Sequence, residues 1–159
     1  MKATKTLTVM FALFLIGSIA SADDSTKTWL KGLGKVKVSI SVANDLVAAG
    51  VPGAQLRTQT ELQLRQAGLQ VDQTLDKPTL YIELTGVRGP GTNNYACYVL
   101  LSVSENVKME RNDAAISTLV WGPDLQVLYL VNHIPETLLN STKERVDTFL
   151  NDWLQANPR

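Results

Sequence analysis

Cysteine and histidine are almost missing from this 159-residue chain: Cys97 and His133 are the only members of their types. A single cysteine excludes an internal disulfide framework, so the fold must rest on its apolar core. Stable zinc binding takes several His and Cys ligands, and one of each argues against such a site. Asp72 and Asp76 are too sparse for the twelve-residue pattern of a calcium loop. No metal and no other cofactor is therefore expected. Basic charge is also short of what phosphate binding demands, since lysine plus arginine only equal aspartate plus glutamate at 15 each. The densest basic group, Lys27, Lys31, Lys35 and Lys37, reads as a solvated N-terminal arm, and no nucleic-acid partner is expected. The stretch containing Gly86, Gly89 and Gly91 lacks the Lys-Ser/Thr ending of a phosphate loop. The chain has no internal repeat and no low-complexity tract.

Long apolar runs are equally scarce. The one present spans residues 7–19, follows Lys2 and Lys5, and closes on Ala20-Ser21-Ala22. Basic end, apolar run and small residues at the cleavage positions make a secretory signal peptide over residues 1–22, cut before Asp23. Thirteen residues fall short of the roughly 20 that span a bilayer, so no transmembrane segment is expected after cleavage. A lipid-anchored form would need a cysteine at the cut, and Cys97 is far from it. Removing residues 1–22 leaves 137 residues with 13 basic and 15 acidic side chains, a net charge of −2. That length suits one domain. The expected product is soluble after cleavage, periplasmic or secreted, with an arm over 23–34 and a single domain over 35–159.

Within that domain, hydrophobic periodicity sets the elements. Val36, Val38, Ile40 and Val42 alternate with Lys35, Lys37, Ser39 and Ser41, a strand with one wet face. After a connection over 44–53, Leu56, Thr60, Leu64 and Ala67 fall at helical spacing. Leu62 widens that apolar side, Glu61 and Arg65 pair at i,i+4, and Gly68 stops the helix. Leu69 to Val71 begin a short strand. Leu80, Ile82 and Leu84 form another, ended by Gly86. A loop over 86–94 leads to a long strand from Tyr95 to about Val107, with Tyr95, Cys97, Val99, Leu101 and Val103 on one side. Ile116 to Trp121 make a further strand, Gly122-Pro123-Asp124 breaks it, and residues 125–131 are one more strand or an extended lead. The last helix carries Leu139, Val146, Phe149, Leu150 and Trp153 on one stripe, with Lys143, Glu144, Asp147 and Asp152 elsewhere. It starts either with Pro135 in its first turn or at Ser141 in a capping box with Glu144. The expected fold is α+β: a two-layer sandwich with two helices on one face of a mainly antiparallel sheet, in the order β-α-β-β-β-(β)-α.

This arrangement resembles a group of small exported bacterial proteins, most of them uncharacterised. The likeness is carried by the Val36 to Val42 strand, the Leu62-Gln63-Leu64-Arg65-Gln66-Ala67-Gly68-Leu69-Gln70-Val71 passage, Val120-Trp121-Gly122, and the ending Val146-Asp147-Thr148-Phe149-Leu150-Asn151-Asp152-Trp153-Leu154-Gln155-Ala156-Asn157-Pro158. At the level of fold it also looks like the lipopolysaccharide-assembly lipoprotein and the N-terminal domain of the Tol-system propeller protein. That resemblance implies a binding or assembly role in the envelope, and it transfers no functional residue.

Chemistry-bearing residues are few. Cys97 and His133 would make a nucleophile and base only if the fold joined them. The apolar row around Cys97 favours a buried thiol with a raised pKa, and His133 reads as an exposed or capping residue before the last helix. Glu83 reads as part of a wet sheet face. Arg88, in the glycine-rich loop, is the one candidate for anion contact. Tyr81 lies on the polar row of its strand and Tyr98 opposite the Cys97 row. If the helices leave that face open, the two tyrosines form a rigid amphipathic surface. These readings converge on a non-enzymatic exported protein that binds a protein or envelope component through an uncovered sheet face or an edge strand, with Tyr81, Tyr98 and Arg88 as candidate binding residues. A carrier of a small apolar ligand between helices and sheet, and a hydrolase using Cys97 or Glu83, are the alternatives.

Overall fold

The computed structural model describes residues 27–91, 94–122, 126–130 and 133–158, and the side chains within them except those of 126, 127, 129 and 130. The expected signal peptide lies outside the described residues. The element order is β1 (Lys35–Val42), α1 (Asn44–Ala48), α2 (Gly53–Ala67), β2 (Gln70–Val71), β3 (Thr79–Arg88), β4 (Tyr95–Lys108), β5 (Ala115–Trp121), β6 (Gln126–Leu130) and α3 (Ile134–Ala156). The sheet runs β2-β1-β3-β4-β5, and β6 also pairs with β4. β5 and β6 follow one another along the same edge of the 14-residue β4: Trp121 pairs with Val103, and Gln126 resumes at Val99. The expected α+β sandwich is the fold observed, with six strands and three helices among the described residues where the expected order counted at most five strands and two helices.

β1 pairs in parallel with both β2 and β3, and the β3, β4, β5 and β6 pairings are antiparallel. The parallel pair follows from the intervening helix, since a crossover through α2 returns the chain in the same direction. Leu56, Thr60 and Leu64 of α2 are buried, and Gly68 caps its end at φ 94°, where a side chain would be strained. Leu62 departs from expectation: it is exposed, because the helix rotates the 56-60-64 row onto the sheet and leaves position 62 on the flank. The connection after β1 also holds a short helix, α1, that buries Leu46 against β3.

β3 does not stop at Gly86. It continues to Arg88, which pairs with Tyr95. Gly86 serves packing instead, since a Cβ there would lie 2.5 Å from Leu46 Cδ2 and 3.1 Å from Cys97 Sγ. Past Arg88, Gly89 N–H donates to the Asn94 carbonyl at 2.9 Å.

α3 begins at Ile134, with Pro135 in the first turn, where its missing N–H costs nothing. The capping-box alternative fails because Ser141 is buried two turns inside the helix. The buried row is Leu138, Thr142, Val146, Phe149 and Trp153, with Leu139 only half-buried. Thr142 masks that row in the sequence. Its hydroxyl donates to the Leu138 carbonyl at 2.7 Å, so a polar residue fits the core side. Asp152, expected on the polar side, is buried and accepts from Trp121 Nε1 at 3.0 Å. Phe149 meets Trp121 edge-on with ring centroids 5.1 Å apart. Trp153 Nε1 donates to the Leu33 carbonyl at 2.7 Å, and Asn157 brackets residues 30–32 by accepting from Gly32 N–H and donating to the Leu30 carbonyl. These bonds dock the end of the arm, whose Leu30 and Leu33 belong to the core.

Candidate functional site

Alternation along the central strands sends Leu80, Ile82, Leu84, Val99, Leu101 and Val103 toward the helices, where all are buried. The intervening residues form the opposite face. Its cross-strand rows are Lys37, Thr79 and Ser104, then Ser39, Tyr81 and Ser102, then Ser41, Glu83 and Leu100, and finally Thr85 with Tyr98. Tyr81 and Tyr98 therefore share one face, four residues or about 13 Å apart along the strands. Thr79, Ser102 and Ser104 are buried on it, forming a floor of small hydroxyl residues beside Tyr81, which is 39% exposed.

Each tyrosine hydroxyl is held by a charged neighbour. Lys77, in the turn before β3, donates through Nζ to Tyr81 Oη at 2.8 Å and to Ser104 Oγ, and Nζ stands 4.7 Å from the Tyr81 ring centroid. That ammonium favours the phenolate, so the Lys77 hydrogen bond, ahead of smaller contributions, holds the Tyr81 pKa below its usual value against some desolvation. Tyr98 donates to Glu83 Oε1 at 2.9 Å, and Thr85 Oγ1 approaches the same oxygen at 3.3 Å. Glu83 is thus tied to the tyrosine face as an acceptor. Lys77 was not singled out from the sequence, although its position four residues before Tyr81 was visible. What hid it was the turn, which bends Lys77 back over β3.

Arg88 does not join this surface. It closes β3 in the row of Leu84 and Gly86, on the helix side, and it is exposed. The sequence placed it in a loop because Gly86 looked like a strand end. Cys97 and His133 also stand apart. Cys97 is 2% exposed beneath Gly86 and Leu46, and burial raises its thiol pKa. His133 caps α3 with a positive φ of 56°, its side chain 81% exposed and 4.0 Å from Glu136 Oε2. A buried protonated thiol and an exposed imidazole are not a nucleophile and its base. A groove of about 540 Å³ runs between α2 and α3, lined by Pro52, Leu62, Pro135 and Leu139 among others. It lies between the long helices, whereas the space between helices and sheet is filled by fully buried Leu56, Leu64, Ile82, Leu84, Leu101 and Phe149.

No family model and no curated protein matches this chain. Among solved structures it is similar to a minor lipoprotein from Acinetobacter baumannii, at 15% identity and a TM-score of 0.33, over 78% of this chain and 93% of that one. Among the described residues, no helix is long and apolar enough to cross a membrane.

Proposed function

We propose that this is an exported, non-enzymatic protein of the periplasm or cell envelope that binds a protein or envelope component through the tyrosine-bearing face of its sheet. The observation that carries the reading is the pair Tyr81 and Tyr98, fixed through their hydroxyls by Lys77 and Glu83 on the face opposite the helices. Aromatic side chains already locked by hydrogen bonds lose little rotamer freedom when a partner covers them. Their rings offer apolar area, while Lys77 beyond Tyr81 and Glu83 in the row between the two tyrosines supply charges of both signs. The basic-apolar-small leader supports export. The protonated, buried state of Cys97 supports a role without nucleophilic catalysis, and the filled interior supports contact at a surface over carriage of an apolar ligand.

The test is crosslinking in intact cells followed by mass spectrometry, comparing the wild type with a Tyr81→Ala/Tyr98→Ala variant. One envelope component recovered reproducibly with the wild type and lost with the variant is the expected result. Equal recovery by both proteins would remove the tyrosine face from the reading. Fractionation of the same cells, with sequencing of the processed N-terminus, checks the cut before Asp23.

A further inference from the structure

The two edges of the sheet are defended unequally. On one, β2 is only two residues long, and beyond it the β1 backbone is covered: Arg57 Nη1 donates to the Val38 carbonyl at 2.9 Å, and Asp72 N–H donates to the Val36 carbonyl at 3.1 Å. Lys35 and Lys37 add charge there. On the other edge, β5 is seven residues long and bears no charged residue and no proline, whereas β1, β3 and β4 each carry charges. Ile116 is 44% and Leu119 66% exposed. Charges, prolines and short length are among the ways natural sheets prevent edge pairing, and β5 has none of them; the register shift in its pairing with β4 falls at Val120, past the stretch 115–119.

The ladder shows which backbone groups that edge presents. Met109 N–H donates to the Ala114 carbonyl, so 109 and 114 form a hydrogen-bonded pair. Alternation then makes Ile116 with Val107, and Thr118 with Glu105, the next hydrogen-bonded pairs. The N–H and C=O groups of Ala115, Ser117 and Leu119 consequently point away from β4. Among the described residues, no strand lies beyond them.

We infer that β5 pairs antiparallel with β5 of a second copy of this chain, about a two-fold axis at Ser117, joining two sheets into one. In this register Ser117 faces Ser117, Ala115 faces Leu119, and Ile116 faces Thr118, so every outward backbone group of the three odd-numbered residues finds a partner. A strand without charge meets its own copy without repulsion. Because the opposite edge is covered by Arg57 and Asp72, head-to-tail addition is blocked and the assembly closes as a dimer. The inference uses the sheet edge and stands apart from the tyrosine-face reading.

Sedimentation of the purified protein, in wild-type, Ser117→Pro and Leu119→Lys forms, tests it. Proline at 117 removes an N–H that points outward, so the β4 ladder stays intact, and lysine at the exposed position 119 leaves the fold intact by construction. A wild-type dimer whose dissociation constant rises at least about tenfold in each folded variant is expected, a loss of about 1.4 kcal/mol. If Ser117→Pro fails to fold by circular dichroism, Leu119→Lys decides alone. The register is checked with a short bis-maleimide: Ser117→Cys should crosslink to itself, while Ala115→Cys, offset by four residues or about 13 Å from its copy, should not. Buried Cys97 stays out of that reaction in the folded protein. A monomeric wild type at high micromolar concentration, or a dimer unaffected by both variants, overturns the inference.

Discussion

The two faces of the sheet are built by the same strands one residue out of phase, yet they are held by different forces. Toward the helices, position is set by exclusion of water from Leu80, Ile82, Leu84, Val99, Leu101 and Phe149, all essentially fully buried. On the opposite face, position is set by directed bonds: Lys77 to Tyr81 and Ser104, Tyr98 to Glu83. The first kind of order is stabilising and gives nothing to a partner. The second contributes little net stability, because water competes for the same groups, but it fixes where two aromatic rings stand. Substitutions should therefore separate cleanly into those that unfold the domain and those that spare the fold and alter recognition.

The largest effect should come from Phe149→Ala. Its ring is fully buried against Trp121, so the loss combines transfer free energy and a cavity, about 3–5 kcal/mol in urea denaturation. Next stands the buried bond between Trp121 and Asp152. Asp152→Ala leaves the indole N–H without its acceptor, a cost of about 1–3 kcal/mol, while Asp152→Asn keeps an oxygen at the same place and should recover most of it. Equal loss in both variants would mean that the acceptor is not what matters at that position. Gly86→Ala belongs in the same range, about 1–3 kcal/mol, because the new methyl would collide with Leu46 Cδ2.

Smaller still are the stability effects on the opposite face. Tyr81→Ala and Tyr98→Ala remove cross-strand contacts at partly exposed positions, about 0.2–1 kcal/mol each, while partner capture should fall sharply. A loss of 3 kcal/mol or more from either would erase the contrast between the faces and recast the tyrosines as structural.

How far the sequence disclosed this depended on what set each position. Strict alternation marked β1 and the buried part of β3, and helical spacing marked the buried row of α2 with Gly68 as its stop, since both patterns record burial directly. It failed where a polar residue is satisfied by a distant partner. Asp152 looked like the wet side of α3, because the Trp121 indole that accommodates it is supplied by folding. Gly86 looked like a terminator because its close approach to Leu46, 40 residues earlier, leaves no local signature. For the tyrosines, the alternation gave the row they occupy. It could not give the side on which the helices pack, and the bend that returns Lys77 over Tyr81 depends on the turn before β3.

The smallest expected effect sharpens the comparison through pH, because one titratable group on each face shifts in the opposite direction. Burial raises the Cys97 pKa on the helix side above its ordinary value of 9.0. Between that value and the native one, the unfolded thiol has lost its proton and the native thiol has kept it. Its contribution is therefore complete below about pH 9 and is lost as pH rises through the native pKa. Tyr81 behaves oppositely: Lys77 lowers its pKa from 10.0, so the native phenol ionises first. Its contribution is absent at neutral pH, appears as pH rises through the native value, and is complete above 10 while Lys77 stays protonated. Urea denaturation from pH 7 to 10 reads both signs by difference. Relative to Cys97→Ala, the wild type should lose stability above pH 9, and relative to Tyr81→Phe it should gain as pH approaches 10. Matching signs from the two residues would mean that Cys97 and Tyr81 sit in like surroundings, and the division between a dry face and a hydrogen-bonded one would fail at the residues that best report it.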